Sequence, residues 1–211
     1  MTPSRRSGST VGDPAPPGAS AGRRPITTRA QISAVAIDLF STRGFDETSV
    51  DDVADAVGIA RRTLFRYYPS KNAIPWGDFD SHLAEMRGLL AAIPDDLPIA
   101  DALERALISF NDVPPAELPG HRSRMALLLG VPALQAHSML MYADWRQVIA
   151  EFSAHRLGMA ESDHLPQTIG WLCLGVALAA YDQWLADDAT DLRALLVSGS
   201  RTLAQGVAAL S

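Results

Sequence analysis

Two short helical segments separated by a tight turn constrain the fold of this chain more than any other feature. The first is predicted over residues 50–57, where apolar residues recur every three or four positions and Ser49 can supply the N-cap. Gly58 ends it, and a second helix is predicted over 61–68, where Pro69 stops it. Helices with so short a connection have the geometry of a helix-turn-helix, whose second helix enters the major groove of DNA.

The second of these helices carries an unusually basic surface. Leu64 and Tyr68 are four residues apart, so we expect them to pack together against the preceding helices. The other sides carry Arg61, Arg62, Thr63, Arg66 and Tyr67. Because arginine can fork onto guanine or pair with phosphate, three arginines at this place predict DNA contact. A merely solvated basic face is the alternative interpretation.

The segment 36–71 resembles the DNA-binding domain of the TetR family of transcriptional regulators. The resemblance is carried by AIDLF at 36–40, GF at 44–45, TSVDDVA at 48–54 and GIARRTLFRYYPSK at 58–71. A helix predicted over 28–42 completes a three-helix head. The resemblance implies phosphate contacts from Thr48, Ser49 and Lys71, and base or backbone contacts from Arg61, Arg62 and Thr63. Phe65 and Tyr67 depart from the Tyr and His that many members carry there.

The rest of the chain keeps a helical pattern that is broken by prolines. Further helices are predicted near 74–92, 98–110, 121–130, 133–157, 166–186 and 191–209. No strand pattern is found, so the predicted fold class is all-α, with a three-helix head and a six-helix ligand-binding and dimerisation domain. The predicted boundaries are a disordered tail over 1–25, the head over 26–73 and the helical domain over 74–211.

Charge is divided unevenly along the chain. Residues 1–71 hold ten Lys and Arg against seven Asp and Glu, whereas residues 72–211 hold eight against seventeen. A basic front on an acidic body fits local contact with nucleic acid rather than binding to any polyanion. Residues 1–25 are rich in Pro, Gly and Ser and include four arginines. They are predicted to form a solvated tail, with a basic arm on the DNA backbone as the alternative.

Sequence patterns of enzymes and metal sites are missing. The chain has no G-x-S-x-G, no phosphate-binding glycine loop and no C-x-x-C, and its five histidines lack metal-ligand spacing. We therefore expect no catalytic residue, no metal and no cofactor. Cys173, the single cysteine, is expected to be a small buried side chain, which suits the cytoplasm. The uncharged stretch 165–181 is too short for a membrane span and is interpreted as a buried helix.

The helices from about 121 to 186 are rich in Met, Leu and Trp, which predicts either an apolar effector chamber or an ordinary core. The candidate lining residues are Met125, Leu128, Met139, Tyr142, Trp145 and Trp171. Arg122 and Arg124 could meet the charged head of an amphiphile, or face water. An all-helical enzyme that retained a helix-turn-helix, and a DNA-binding protein without an effector, are the rival hypotheses.

Two strings resemble the actinobacterial regulators associated with mycofactocin gene clusters. They are NAIPWGDFD at 72–80 and MLMYADWR at 139–146. This resemblance implies control of a redox-cofactor operon and an effector of the acyl-CoA type. The two last helices are apolar and contain Gly175, Ala179 and Gly199. In the TetR family such helices form a four-helix bundle with a second subunit, which implies a homodimeric repressor on operator DNA, although an intramolecular core would explain them too.

Overall fold

The computed structural model describes residues 28–206, and over this range all regular secondary structure is helical. The head consists of α1 (Arg29–Arg43), α2 (Val50–Val57) and α3 (Arg61–Tyr67). A 3-10 helix (Lys71–Trp76) leads into the body, which consists of α4 (Phe79–Ala91), α5 (Ile99–Phe110), α6 (Leu118–Gly130), α7 (Pro132–Leu157), α8 (His164–Ala186) and α9 (Leu192–Gln205). The predicted fold class, a three-helix head followed by six further α-helices, is confirmed.

Local capping explains why the head helices begin and end close to their predicted positions. Thr28 and Gln31 form a capping box at the start of α1, in which each backbone N–H donates to the other side chain. Ser49 and Asp52 do the same at the start of α2. Gly58 then ends α2 in the left-handed conformation, with φ of 74°. These interactions involve residues within four positions of each other, so sequence alone could locate them.

The predicted helix over 74–92 is wrong in its first part. Pro75 lies inside the 3-10 helix, where its missing N–H removes a donor, and Gly77 follows with φ of 64° and ψ of −134°. That backbone conformation cannot continue a helix, so α4 begins only at Phe79. The 3-10 helix and Gly77 therefore separate α4 from the head.

Other predicted boundaries move by a few residues. Helix α6 begins before Pro119 and α8 before Pro166, because proline is tolerated in a first turn, where no intrahelical donor is required. Helix α9 ends at Gln205, where Gly206 has φ of 72° and its N–H donates to the carbonyl of Leu203. The last part of the helix predicted over 191–209 lies outside the described residues. The predicted tail over 1–25 lies outside the described residues.

One continuous apolar core joins head and body. Helix α6 packs against α1, while α7, α8 and α9 pack side by side. Fully buried side chains run from Ile32 and Leu64 in the head through Ile74 to Leu128 and Leu196 in the body. The head is thus attached through shared core packing as well as through the connecting chain.

Helix α8 is long and apolar enough to cross a membrane by length and composition alone. Here it packs between α7 and α9, with Cys173 and Leu174 buried. Burial raises the pKa of the Cys173 thiol to about 12, so this thiol stays protonated near neutral pH. The prediction of a buried cysteine is confirmed, whereas the predicted buried helix is buried on one side only, since Trp171 and Leu172 are about half exposed.

Candidate DNA interface and effector site

The third helix presents its basic residues to solvent, as predicted. Leu64 and Tyr68 face the core, and the Tyr68 hydroxyl donates to the backbone carbonyl of Arg29 at 2.7 Å. The three arginines of α3 are exposed. Thr63 and Tyr67 are half-buried. The packing of Leu64 and Tyr68 therefore fixes which side of α3 can meet DNA.

A carboxylate lies next to the first arginine of this surface. The Nη1 atom of Arg61 donates to Oδ2 of Asp51, on α2, at 2.6 Å. The Arg61 guanidinium also lies 5.5 Å from the centroid of the Phe65 ring. Asp51 was not among the predicted site residues, because nothing in the sequence relates two positions ten residues apart on different helices.

The two residues at the start of α2 differ in what they can contact. Ser49 is exposed, and its side chain accepts from the N–H of Asp52 at 3.1 Å. Thr48 is fully buried, and its hydroxyl donates to the carbonyl of Gly44 at 2.8 Å. The implied phosphate contact from the Thr48 side chain is therefore corrected: this side chain closes the loop between α1 and α2.

Lys71 is directed towards the head itself. Its ammonium donates to the backbone carbonyl of Phe45 and lies 4.1 Å from the centroid of the Phe45 ring. Burial lowers the pKa of Lys71. The ammonium therefore ties the 3-10 helix to the loop that precedes α2, and a phosphate contact from Lys71 would have to add to this role.

The predicted apolar lining residues do not surround one chamber. Met125, Leu128 and Trp145 belong to the filled core. Met139 and Trp171 are 52% and 50% exposed, on the outer sides of α7 and α8. Helical spacing groups residues on a face but does not show which face other helices cover, and for these two residues the prediction is wrong.

The remaining predicted residues lie near the junction of head and body. Tyr142 is half-buried, and its ring packs edge-on against Trp76 with centroids 5.7 Å apart. The Arg122 guanidinium already has partners: it donates to the backbone carbonyl of Trp184 and forms an ion pair with Asp188, each at 2.6 Å.

Arg124 differs from Arg122 in having no hydrogen bond or ion pair among residues 28–206. Its Nε atom is buried without a partner, and burial lowers the pKa of its guanidinium. A Cβ placed on Gly77 would lie 3.9 Å from Nη2 of Arg124 and 3.7 Å from the hydroxyl of Ser33. A partly buried cation without a hydrogen bond or ion pair among the described residues thus lies where α6 meets the first helix and the break before α4, and the charge of Glu117 acts on it from beyond ion-pair distance.

A buried polar chain that the sequence did not reveal lies beside Arg124. The Tyr181 hydroxyl donates to Oδ1 of Asn111 at 2.7 Å and lies 2.8 Å from Nε2 of His121. Since this hydroxyl gives its proton to Asn111, Nε2 of His121 must be the donor to Tyr181. Burial, with a smaller contribution from the charge of Arg124, lowers the pKa of His121 to about 4, so the ring is neutral near pH 7.

An apolar cleft of about 210 Å³ opens between α5, α8 and α9. Its lining residues are Ile99, Ala100, Leu103, Glu104, Leu107, Ile169, Leu172, Cys173, Val176, Ser200, Leu203 and Ala204. The carbonyl of Leu107 accepts from the amide of Asn111 at 2.7 Å, so the cleft adjoins the polar chain. Helix α5 is far in sequence from α8 and α9, which is why sequence reasoning missed the cleft.

The outer face of α8 remains uncovered in the single chain. Leu165, Trp171 and Leu172 are each close to half exposed, and a Cβ placed on Gly175 would meet no atom within 4 Å. Gly199 behaves differently, because a Cβ there would lie 2.8 Å from Val176 within the same chain. Gly199 therefore serves the contact between α8 and α9, whereas Gly175 lies on a free surface.

Comparisons with known proteins agree with this architecture. Residues 32–74 match the N-terminal domain of bacterial regulatory proteins of the TetR family, and residues 97–208 match the MftR C-terminal domain. A mycofactocin biosynthesis transcriptional regulator of Mycobacterium tuberculosis is 56% identical over 81% of this chain and 86% of its own length. The regulator TcmR of Streptomyces glaucescens is 28% identical over 81% of this chain and 79% of its own length.

Solved structures show the same fold. FadR of Bacillus subtilis, in complex with stearoyl-CoA, superimposes with a TM-score of 0.61 at 16% identity, covering 84% of this chain and 98% of that one. FadR of Thermus thermophilus, in complex with lauroyl-CoA, gives 0.58 at 23% identity, covering 85% and 94%. By the matches of its two domains and its identity with the mycobacterial regulator, the chain belongs to the TetR family of DNA-binding transcriptional regulators.

Proposed function

We propose that this regulator is a cytoplasmic repressor of a mycofactocin-type operon, and that an amphiphilic effector, a long-chain acyl-CoA, releases it from its operator. The observation that carries the DNA-binding part is the exposed arginine surface of α3. The proposed target operon is inferred from the 56% identical mycobacterial relative. The rival hypotheses of an enzyme or an effector-independent DNA binder predict no release by acyl-CoA.

The proposed DNA contacts come from the helix-turn-helix. Ser49 lies at the exposed start of α2, where backbone N–H groups favour a phosphate. The other proposed contacts are Arg61, Arg62, Thr63, Arg66, Tyr67 and Lys71. If the protein neutralises about six phosphates, its affinity for DNA should fall about a thousandfold when the salt concentration rises from 50 to 200 mM.

The test is fluorescence anisotropy with the intergenic DNA upstream of the chain's own gene. The wild-type protein should bind this DNA with an affinity that falls steeply as salt rises. A double variant, Arg61→Ala with Arg62→Ala, should lose specific binding while keeping its helical circular dichroism. A salt-independent affinity, or unchanged binding by the folded double variant, would contradict the proposed interface.

The proposed homodimer is formed by α8 and α9, because the outer face of α8 is apolar and uncovered. Gly175 and Gly88 are both helical glycines with open surroundings, so each accepts a side chain without strain inside the subunit. Gly175→Arg should dissociate the dimer at micromolar concentration in light scattering, and Gly88→Arg should not. A monomeric wild type would refute the assembly, as would a dimer that tolerates Gly175→Arg.

For the effector, we propose that the acyl chain enters the cleft between α5, α8 and α9. The cleft is apolar, and the FadR structures from Bacillus subtilis and Thermus thermophilus hold acyl-CoAs on a similar fold. Arg124, whose buried Nε has no hydrogen-bond partner, is the candidate for the negatively charged part of the ligand. Each buried methylene should add about 0.8 kcal/mol, so longer chains should release DNA at lower concentration.

The experiment titrates the protein–DNA complex with acyl-CoAs of increasing length and with free CoA. Leu103→Trp, which fills the cleft, should abolish the chain-length dependence while leaving DNA affinity unchanged. If free CoA acts as well as acyl-CoA, the apolar ligand is wrong. If Leu103→Trp responds like wild type, the acyl chain binds elsewhere.

A further inference from the structure

We infer that Asp51 determines DNA specificity by holding Arg61 in the orientation that reads a guanine, and that Arg62 and Arg66 serve the phosphate backbone. This assignment rests on the proposed DNA-binding function and divides the three arginines, which sequence reasoning left undivided, into two roles. It follows from the surroundings of each guanidinium.

Arg61 is held on two sides. Its Nη1 atom lies 2.6 Å from Oδ2 of Asp51, and the Phe65 ring lies 5.5 Å from its guanidinium carbon. The guanidinium is planar and carries five N–H groups in a fixed arrangement. With Nη1 bound to Asp51, the edge formed by Nε and Nη2 still offers two parallel N–H groups, which is the fork that matches O6 and N7 of guanine.

The Asp51–Arg61 pair has little reason to exist for the sake of stability. The two side chains are 56% and 58% exposed, and ion pairs so open to water contribute little to folding. A carboxylate on the DNA-facing surface also repels phosphate, which lowers affinity for every duplex. The Asp51 carboxylate thus weakens binding to every duplex, yet it contacts Arg61. These two facts together indicate a role in discriminating between sequences. The carboxylate disfavours a contact between Arg61 and a phosphate, while the Nε–Nη2 edge of Arg61 stays free to bind a base.

The other two arginines of α3 lack such a partner. Arg62 and Arg66 are exposed, and neither forms an ion pair with a carboxylate among the described residues. Arg66 has the Tyr67 ring 5.8 Å away, which supports its stem without neutralising its charge. Guanidinium groups without a carboxylate partner suit phosphates, whose contacts set affinity but not sequence preference.

The chain offers matched controls for both changes. Asp55 is an exposed carboxylate one turn further along α2 and makes no ion pair within residues 28–206. Asp51→Asn and Asp55→Asn therefore remove the same charge from the same helix, and only the first frees Arg61. Arg61→Ala and Arg62→Ala likewise remove one arginine each from neighbouring positions.

The experiment selects duplexes from a library of random 30-base-pair DNA with each full-length protein and sequences what is retained. Wild type should enrich a two-fold symmetric motif with a preferred G·C pair in each half. Asp51→Asn and Arg61→Ala should each reduce the preference at that pair by about fivefold or more, the lower end of what a forked arginine provides. Asp55→Asn and Arg62→Ala should leave the motif unchanged. Arg62→Ala should bind all sequences more weakly, and both aspartate variants should bind random DNA more tightly.

The outcomes distinguish a failure of the proposed DNA-binding function from a failure of the inference about Asp51. If wild type enriches no motif, the proposed DNA-binding function fails. If wild type enriches a motif and Asp51→Asn enriches the same one with undiminished preference, the inference about Asp51 is overturned while the function stands. Equal changes in Asp51→Asn and Asp55→Asn would show an effect of charge alone and would also overturn it. Thermal unfolding of each variant checks that the head remains folded.

Discussion

Lowering the pH from 7 to 5 should destabilise the folded protein by about 2 kcal/mol through His121 alone. Burial between α6 and α8 lowers the pKa of this ring to about 4 from an ordinary value of 6.5. In the unfolded chain His121 takes up a proton below pH 6.5, whereas in the folded protein it stays neutral until about pH 4. The unfolded state therefore binds more protons between these values, and folding stability falls with pH across that window.

The magnitude follows from the distance between the pH and the unfolded-state pKa. Each unit corresponds to about 1.4 kcal/mol, so the loss of stability is about 2 kcal/mol at pH 5 and about 3 kcal/mol at pH 4. Well above pH 6.5 the ring is neutral in both states, so His121 then causes no loss of stability. Other groups titrate in the same range, so the prediction concerns the part of the pH dependence that disappears when His121 is replaced.

Urea unfolding followed by tryptophan fluorescence, at one protein concentration and at pH 7, 6 and 5, measures this difference. His121→Gln keeps a donor for Tyr181 but cannot become charged, so its stability should fall by about 2 kcal/mol less than that of wild type between pH 7 and 5. Identical losses in the two proteins would refute the reasoning. A nuclear magnetic resonance titration of His121 with a midpoint near 6.5 would refute it as well.

Two further predictions concern packing and the head. Gly199→Val should lower the free energy of unfolding by about 1–3 kcal/mol, since any Cβ there collides with Val176, whereas Gly88→Val, with open space around it, should cost less than 1 kcal/mol; equal costs in chemical unfolding would contradict this. Lys71→Met should lower that free energy by about 1 kcal/mol by removing the ammonium from the carbonyl and ring of Phe45, and an unchanged melting temperature would show that this contact contributes nothing.

Sequence reasoning was accurate in the head because its signals are local. A capping residue such as Ser49 and a turn glycine such as Gly58 act on neighbours within one turn of helix. At the entry to the body, the apolar spacing continued across Pro75 and Gly77, and the pattern hid the break that these two residues cause.

The candidate sites were less predictable because they depend on how helices cross. Met125 and Met139 both lie on apolar helix faces, yet α7 and its neighbours cover the first and leave the second open. The contact between Asp51 and Arg61 exists only once α2 and α3 are placed beside each other. The cleft between α5, α8 and α9 likewise cannot be predicted from the sequence of any one of these helices, because its lining residues come from all three.

The continuous core between α1 and α6 has a consequence for modularity. A head excised at residue 73 would expose the apolar side of α1 that α6 covers, so we expect it to aggregate or remain unfolded in isolation. A chimaera that receives the head of a relative, made to change which operator is bound, would then fail to fold unless it also receives the residues of α6 that face α1. In evolution, substitutions on these two surfaces should accumulate as compensating pairs, even though one helix belongs to the DNA-binding head and the other to the body.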